Sequence, residues 1–265
     1  MRSPLSFLSP LSRPLVYGTG RHRLMYHRVG EGPPLVLVHG LSGSGAWWKH
    51  NLPAFKALYT CHVVDLVGYG DNRALRPLSL SEAGNILAEF LGSLPGGQAH
   101  LLAHSMGGQI ACAVAANHPA QIDKLILAAP SGMVRSDLVR MAMRLPVAAY
   151  HSPLTFLPTL AYDALRAGPL NLVLSTLDIL ATDTTELLEK ILAPTLLLWG
   201  DRDNLVPESV GTEMAKRIPD VRIEVIEGAG HVLMWDHPRT FNRYVLDFLK
   251  QPPRPNVPPT VEPLT

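Results

Sequence analysis

Short apolar runs recur along the chain, separated by longer segments with helical spacing. The runs lie at 35–38, 61–65, 100–103, 125–128, 196–199 and 223–226. Most are continuously apolar rather than alternating, which is the pattern of parallel strands covered on both faces. Residues 15–29 add two earlier antiparallel strands. Between the runs, segments 47–58, 80–94, 106–117, 208–217 and 238–249 have the spacing of helices, and Ser79 and Ser81 are candidate N-caps for the second. Strands alternating with helices predict the α/β class, a mostly parallel sheet of eight strands flanked by helices.

One interval breaks the rhythm. Between Ala129 and Ala193 there is no strand candidate, only a Leu-, Met- and Ala-rich helical pattern punctuated by Pro and Gly. It is too long for a simple crossover and too apolar for a loop. Residues 133–191 are therefore expected to form a small helical lid inserted after the sixth strand, with 1–132 and 192–250 forming the core. The Pro-rich tail, 251–265, is expected to be extended or disordered.

Composition narrows the function. Lys and Arg (23) nearly balance Asp and Glu (22), so the net charge is +1 and the basic surplus of a nucleic-acid binder is absent. Charged residues make up 17%, against about 25% in an average domain. Cys61 and Cys112 are too few for a disulfide framework and form no CxxC pair. Prolines at 4, 10 and 14 interrupt the N-terminus, against the pattern of a secretory signal. The uncharged stretch 145–162 is broken by three prolines and carries His151, against that of a membrane span. A cytoplasmic protein with no membrane partner, no metal and no cofactor is expected.

The strongest chemical signal is Ala103-His104-Ser105-Met106-Gly107-Gly108, an apolar strand running through a small-residue turn into a helix. It matches the nucleophile elbow, with Ala103 in the first small position. Residues two before and two after the serine must be small, because the turn brings neighbouring backbones close. Ser105 then stands at a helix N-terminus, where developing negative charge is favoured. A serine needs a base, and the base needs an acid. Asp203 follows the 196–199 run and His231 follows the 223–226 run, both at the strand ends where active sites of open α/β sheets collect. Asp201 is the rival acid. The order Ser105, Asp203, His231 is that of the α/β-hydrolase type of triad. The small-residue segment 38–45 offers an oxyanion donor in the Leu41 N–H, paired with that of Met106, and Ser42 offers a further hydroxyl. A phosphate loop is excluded because no Gly-Lys-Ser/Thr follows, and His39 reads as a buried histidine holding this loop.

These segments resemble the α/β-hydrolase fold superfamily, in its branch of serine esterases, C–C bond hydrolases and haloperoxidase-like enzymes. The resemblance rests on LVLVHG at 35–40, DLVGYG at 65–70, AHSMGG at 103–108, GDRDNLVP at 200–207 and GAGHVLMWDHP at 228–238. It implies Ser105 as nucleophile, His231 as general base and acid, Asp203 as orienting acid, and Leu41 and Met106 as oxyanion donors. Ala103 stands where Gly is commoner, and Asp71-Asn72 stands where a small hydroxyl residue is usual. Dehalogenase and epoxide hydrolase readings are disfavoured, since those branches carry Asp at the elbow. The expected activity is hydrolysis of small to medium apolar carboxylic esters, with water and the ester as partners, by a monomer or homodimer. The alternatives are C–C cleavage of a meta-cleavage-type diketone, acyl transfer or perhydrolysis by the same triad, or ligand binding without catalysis. Leu145, Val147, Leu154, Phe156, Leu157, Leu160 and Leu172 are expected to give the lid an apolar inner face. Trp48 and Val232 are further candidate substrate contacts.

Overall fold

The computed structural model describes residues 13–133 and 153–252. Its strands are β1 (Leu15–Thr19), β2 (His22–Val29), β3 (Pro34–Val38), β4 (Thr60–Asp65), β5 (Ala99–His104), β6 (Ile122–Ala128), β7 (Thr195–Gly200) and β8 (Val221–Ile226). They form one sheet in the order β1-β2-β4-β3-β5-β6-β7-β8. β2 pairs antiparallel with both β1 and β4, and all later pairs are parallel. The sheet has the strand number and sense expected from the apolar runs. Strands β4, β5 and β7 are buried at every position, as two-sided cover requires.

The helices are α1 (Leu52–Phe55), α2 (Leu80–Ser93), α3 (Met106–Asn117), α4 (Leu157–Ala181), α5 (Glu208–Ala215), α6 (Leu233–Asp236) and α7 (Pro238–Lys250). The α2 start is set by a capping box. The Ser79 hydroxyl accepts from the Glu82 N–H while the Glu82 carboxylate accepts from the Ser79 N–H. The long first crossover helix expected at 47–58 is not there. A 3₁₀ turn at Gly45–Trp48 and the single-turn α1 replace it. Ser44 caps the 3₁₀ turn, and Asn51, at the N-cap of α1, makes no side-chain cap bond and donates instead to the Met234 carbonyl.

In the interval between β6 and β7, α4 is bent at Gly168, which adopts a left-handed φ of 79° ahead of Pro169. A 3₁₀ turn at Thr185–Lys190 follows. The charged side chains of α4, together with Asn171 and Ser175, turn towards the core. Asp163 accepts from the Ser44 hydroxyl at 2.8 Å and from the Trp47 indole N–H at 3.1 Å. Arg166 pairs with Asp71 at 3.3 Å. Asn171 donates to the Gly68 carbonyl, and the Tyr69 hydroxyl donates to Ser175 at 2.6 Å. Near its C-terminal end, Asp178 accepts from the Leu80 N–H, and Gln109 of α3 donates to the carbonyls of Ile179 and Thr182. Leu145, Val147 and most of the 251–265 tail lie outside the described residues.

Two outcomes follow. Ser79→Ala, which removes half of the capping box, should cost about 1 kcal/mol, seen as a melting temperature lower by roughly 2–4 °C. The second concerns pH. Burial pushes the Asp163 carboxyl from 3.8 up to about 6, so the folded state binds a proton more readily than the unfolded chain. Its contribution to stability is therefore lost as pH rises from about 4 through about 6. Asp163→Asn keeps an acceptor for Ser44 and Trp47 but carries no titration. Thermal denaturation should show the melting temperature of the variant, relative to the parent, rising between pH 4 and pH 6 and levelling above it.

Candidate active site

The turn at the end of β5 sets the geometry. Ser105 lies between β5 and α3 with φ 50° and ψ −117°, left-handed territory that a residue with a Cβ rarely enters. Its N–H donates to the Ala128 carbonyl at 3.0 Å, and its carbonyl accepts from the N–H groups of Gln109 and Ser131. The expected need for small neighbours is visible at Gly107. A Cβ there would lie 2.5 Å from the His39 carbonyl oxygen. The Ser105 hydroxyl projects at the start of α3, where the Met106 N–H has no intrahelical acceptor.

Three loops meet at this hydroxyl. His231 Nε2 lies 3.0 Å from Ser105 Oγ, and its Nδ1 lies 2.8 Å from Asp203 Oδ2. The other Asp203 oxygen accepts from the Leu205 and Val206 N–H groups, each at 2.9 Å. The Asp203 side chain is wholly buried and His231 retains slight exposure. Asp201 points elsewhere, accepting from the Gly228 N–H at 2.7 Å. The loops of the acid and the histidine are tied together, since the Arg202 N–H donates to the Ala229 carbonyl at 2.9 Å. Asp236 supports the second loop by accepting from the Gly230 N–H at 2.7 Å.

The 39–45 loop is braced from behind. The Leu66 N–H donates to His39 Nε2 at 3.1 Å, so the ring proton sits on Nδ1, 2.7 Å from the Gly40 carbonyl. Burial pushes the imidazole down to about 4, so it stays neutral as the fully buried loop support expected of it. Asp65, its carboxyl raised by burial, accepts from the N–H groups of Gly45 and Asp71, both at 2.7 Å. Gly40 abuts the elbow closely; a Cβ there would lie 3.0 Å from that of Ser105. Leu41 therefore follows directly beside Ser105, and Ser42, buried, takes a left-handed φ of 61°.

The apolar surroundings differ in part from expectation. Trp48 is fully buried and faces Phe241 of α7, away from the elbow, because the 3₁₀ turn rotates it into the core. Trp47 takes the site-facing position. Its ring centroid lies 5.8 Å from that of His104 and 5.0 Å from that of Phe156, which in turn lies 4.9 Å from Trp235. Phe156 is thus buried between two tryptophans. Leu157, at the start of α4, is half-buried, and Val232 is buried next to His231. Leu160 and Leu172 pack against the core, whereas Leu154 is exposed.

His104 was missed by sequence reasoning. Its Nε2 lies 2.9 Å from the His231 carbonyl oxygen, which makes Nε2 the protonated nitrogen. Burial holds this ring well below the ordinary histidine range, so it stays neutral and grips the backbone of its neighbour. The signal was its position one residue before the serine, but nothing in the spacing says where that ring points.

Among the described residues, His27, Asp65 and Asp71 bring ligand atoms within 4.8 Å of one another. Both Asp65 oxygens already accept backbone N–H groups. Asp71 faces Arg166 and Arg73 at 3.3 and 3.9 Å. These cations supply the charge a metal would otherwise bring.

Comparison with known proteins agrees with this architecture. The alpha/beta hydrolase family profile matches residues 35–244. A 2-hydroxy-6-oxononadienedioate/2-hydroxy-6-oxononatrienedioate hydrolase of Burkholderia vietnamiensis is 32% identical, over 86% of this chain and 91% of its own. A pimeloyl-[acyl-carrier protein] methyl ester esterase of Aeromonas hydrophila is 30% identical, over 84% of this chain and 97% of its own. In solved structures, a hydrolase from Pseudomonas aeruginosa superposes with a TM-score of 0.77 at 24% identity, covering 91% of this chain and all of its own. A carboxylesterase from Bacillus subtilis gives 0.76 at 20% identity, covering 93% of this chain and 94% of its own. With a profile spanning most of its length and relatives aligned over nearly their whole chains, this protein belongs to the alpha/beta hydrolase family.

Proposed function

We propose that the protein is a serine hydrolase that cleaves carboxylic esters of small to medium apolar substrates. The observation that carries this reading is the continuous relay from Ser105 Oγ through His231 to Asp203, with contacts of 3.0 and 2.8 Å. Ser105 attacks the acyl carbonyl while His231 Nε2 takes its proton. Asp203 holds the tautomer with Nδ1 protonated and stabilises the imidazolium that forms. The tetrahedral oxyanion is met by the N–H groups of Leu41 and Met106 at the start of α3. His231 returns the proton to the departing alcohol, leaving an acyl-enzyme. Water activated by His231 then releases the acid and restores Ser105.

The surroundings favour a neutral, apolar acyl or alkyl group. Trp47, Phe156 and Trp235 form an aromatic wall, apolar surface of the kind that takes up a hydrocarbon group. The Aeromonas hydrophila esterase, whose name specifies a methyl ester, supports ester cleavage within this family. The second reading, C–C cleavage of a meta-cleavage-type diketone, is favoured by the Burkholderia vietnamiensis relative and would use the same relay.

With p-nitrophenyl esters of graded acyl length, Ser105→Ala and His231→Ala should each lower kcat by about 10⁴-fold or more. Unchanged turnover in the serine variant would exclude Ser105 as the nucleophile. Asp203→Asn should be severe, by about 10³–10⁴-fold, while Asp201→Asn should stay within a few-fold, and a reversed ranking would move the acid to Asp201. A meta-cleavage diketone assayed beside the ester panel decides between the readings. Ester turnover should exceed diketone turnover, and the opposite ratio would favour C–C cleavage.

A further inference from the structure

Helix α4 is turned inside out. Its buried positions recur every fourth residue, at Asp163, Ala167, Asn171, Ser175 and Ile179. Three of these five are polar, and each of the three is hydrogen-bonded to the core. Its other charged residues, Arg166 and Asp178, also bond towards the core. The outward row is Tyr162, Leu165, Leu170, Val173, Leu174 and Leu177, with no charged side chain among them. Leu165 is 83% exposed and Val173 is 55% exposed. A surface helix ordinarily places these two classes the other way round, and a contiguous apolar patch of this kind marks a binding face.

We infer that the outer face of α4 docks on a lipid surface. The helix is long and apolar enough by composition to cross a membrane, but its inner face is hydrogen-bonded to the core. It can therefore lie on a bilayer and cannot span one while the fold is intact. Size argues against a second copy of the chain. At about 1.5 Å per residue and about 10 Å across, this face offers on the order of 400 Å² per partner, about half of what a stable complex buries. Chemistry argues the same way. A protein interface carries about one hydrogen bond per 100–200 Å², whereas this row offers only the Tyr162 hydroxyl, beside Arg166 stacked 5.0 Å from its ring centroid. A hydrocarbon surface requires no directional partner, and tyrosine at the margin suits the headgroup boundary. The inference departs from the sequence expectation of no membrane partner, and it stands independently of which bond the enzyme cleaves.

The two native cysteines are buried, so an introduced thiol can be labelled selectively. An environment-sensitive fluorophore on L165C should shift to the blue when phosphatidylcholine vesicles are added, equally at low and high salt, while the same label on K216C, just past the end of α5, should not. L165Q/L174Q/L177Q should lower co-sedimentation with these vesicles by roughly tenfold or more. The same triple variant should keep its melting temperature and its turnover of a soluble short-chain ester. The proposal is overturned if the residue-165 label does not respond to vesicles, or already emits as if buried without them. It is equally overturned if the parent protein forms a stable dimer at micromolar concentration that the triple variant abolishes.

Discussion

Ser105 holds a backbone conformation that costs on the order of 1–3 kcal/mol for a residue with a side chain, and much of the molecule is arranged around keeping it there. The N–H and carbonyl of Ser105 are bonded to the end of β6, to α3 and to Ser131. Gly107 lets α3 press against the His39 backbone, and Gly40 lets the neighbouring loop close on the elbow from the other side. His39 and Asp65, both buried, fix that loop to the end of β4. Strain at one residue is thus balanced by close packing from three strands. The result is a hydroxyl whose direction is set before any substrate arrives.

His231 and Asp203 are placed by a different device. They come from the loops after β8 and β7, neighbours in the sheet, and the pair is built as a unit through the bond from Arg202 to Ala229. Gly200 belongs to that unit, because a Cβ there would lie 2.3 Å from the Ala229 carbonyl oxygen. Asp203 is held twice, by two backbone N–H groups on one oxygen and by His231 on the other. Bracing its own loop and orienting His231 are therefore compatible, each served by a separate carboxylate oxygen. His104 adds a third restraint by gripping the His231 carbonyl.

How much of this could be read from the chain depends on the range of the interaction. Parallel strands announce themselves because two-sided burial forces an unbroken apolar run, and the capping box at Ser79 and Glu82 is local, so α2 was readable to within a residue. Ser105, Asp203 and His231 could be picked out because each follows a strand at the same sheet edge. The segment around Trp47 and Trp48 resisted. Its helical spacing is genuine, but Ser44 and Asn51 commit their side chains to distant partners, Asp163 and Met234. A break three residues long then exchanges the roles of two adjacent tryptophans. His104 was hidden for the same reason, since its partner lies 127 residues away. The polarity of α4 was the least legible feature. Its apolar residues suggested an inner face, yet much of what it turns inward is hydrogen-bonding side chain, a choice made by unsatisfied groups at Tyr69, Gly68 and Trp47.

The pairing of β6 with β7 has a consequence for how such a protein can diversify. Leu125 lies opposite Thr195, and Ala128 opposite Leu198, in adjacent parallel strands. Because the two strands are parallel, the chain leaves the sheet at the C-terminal end of β6 and must cross to the opposite edge to enter β7, so both ends of the excursion are fixed by the sheet whatever lies in between. Replacing that excursion by another of different length adds little loop-closure entropy, because the ends are already held and the cost grows only logarithmically with length. Neither the Ser105 elbow nor the unit carrying Asp203 and His231 lies within it. A single pair of splice points thus separates the 129–194 excursion from the part of the polypeptide that must stay geometrically constant, so the excursion can be exchanged without moving Ser105, Asp203 or His231.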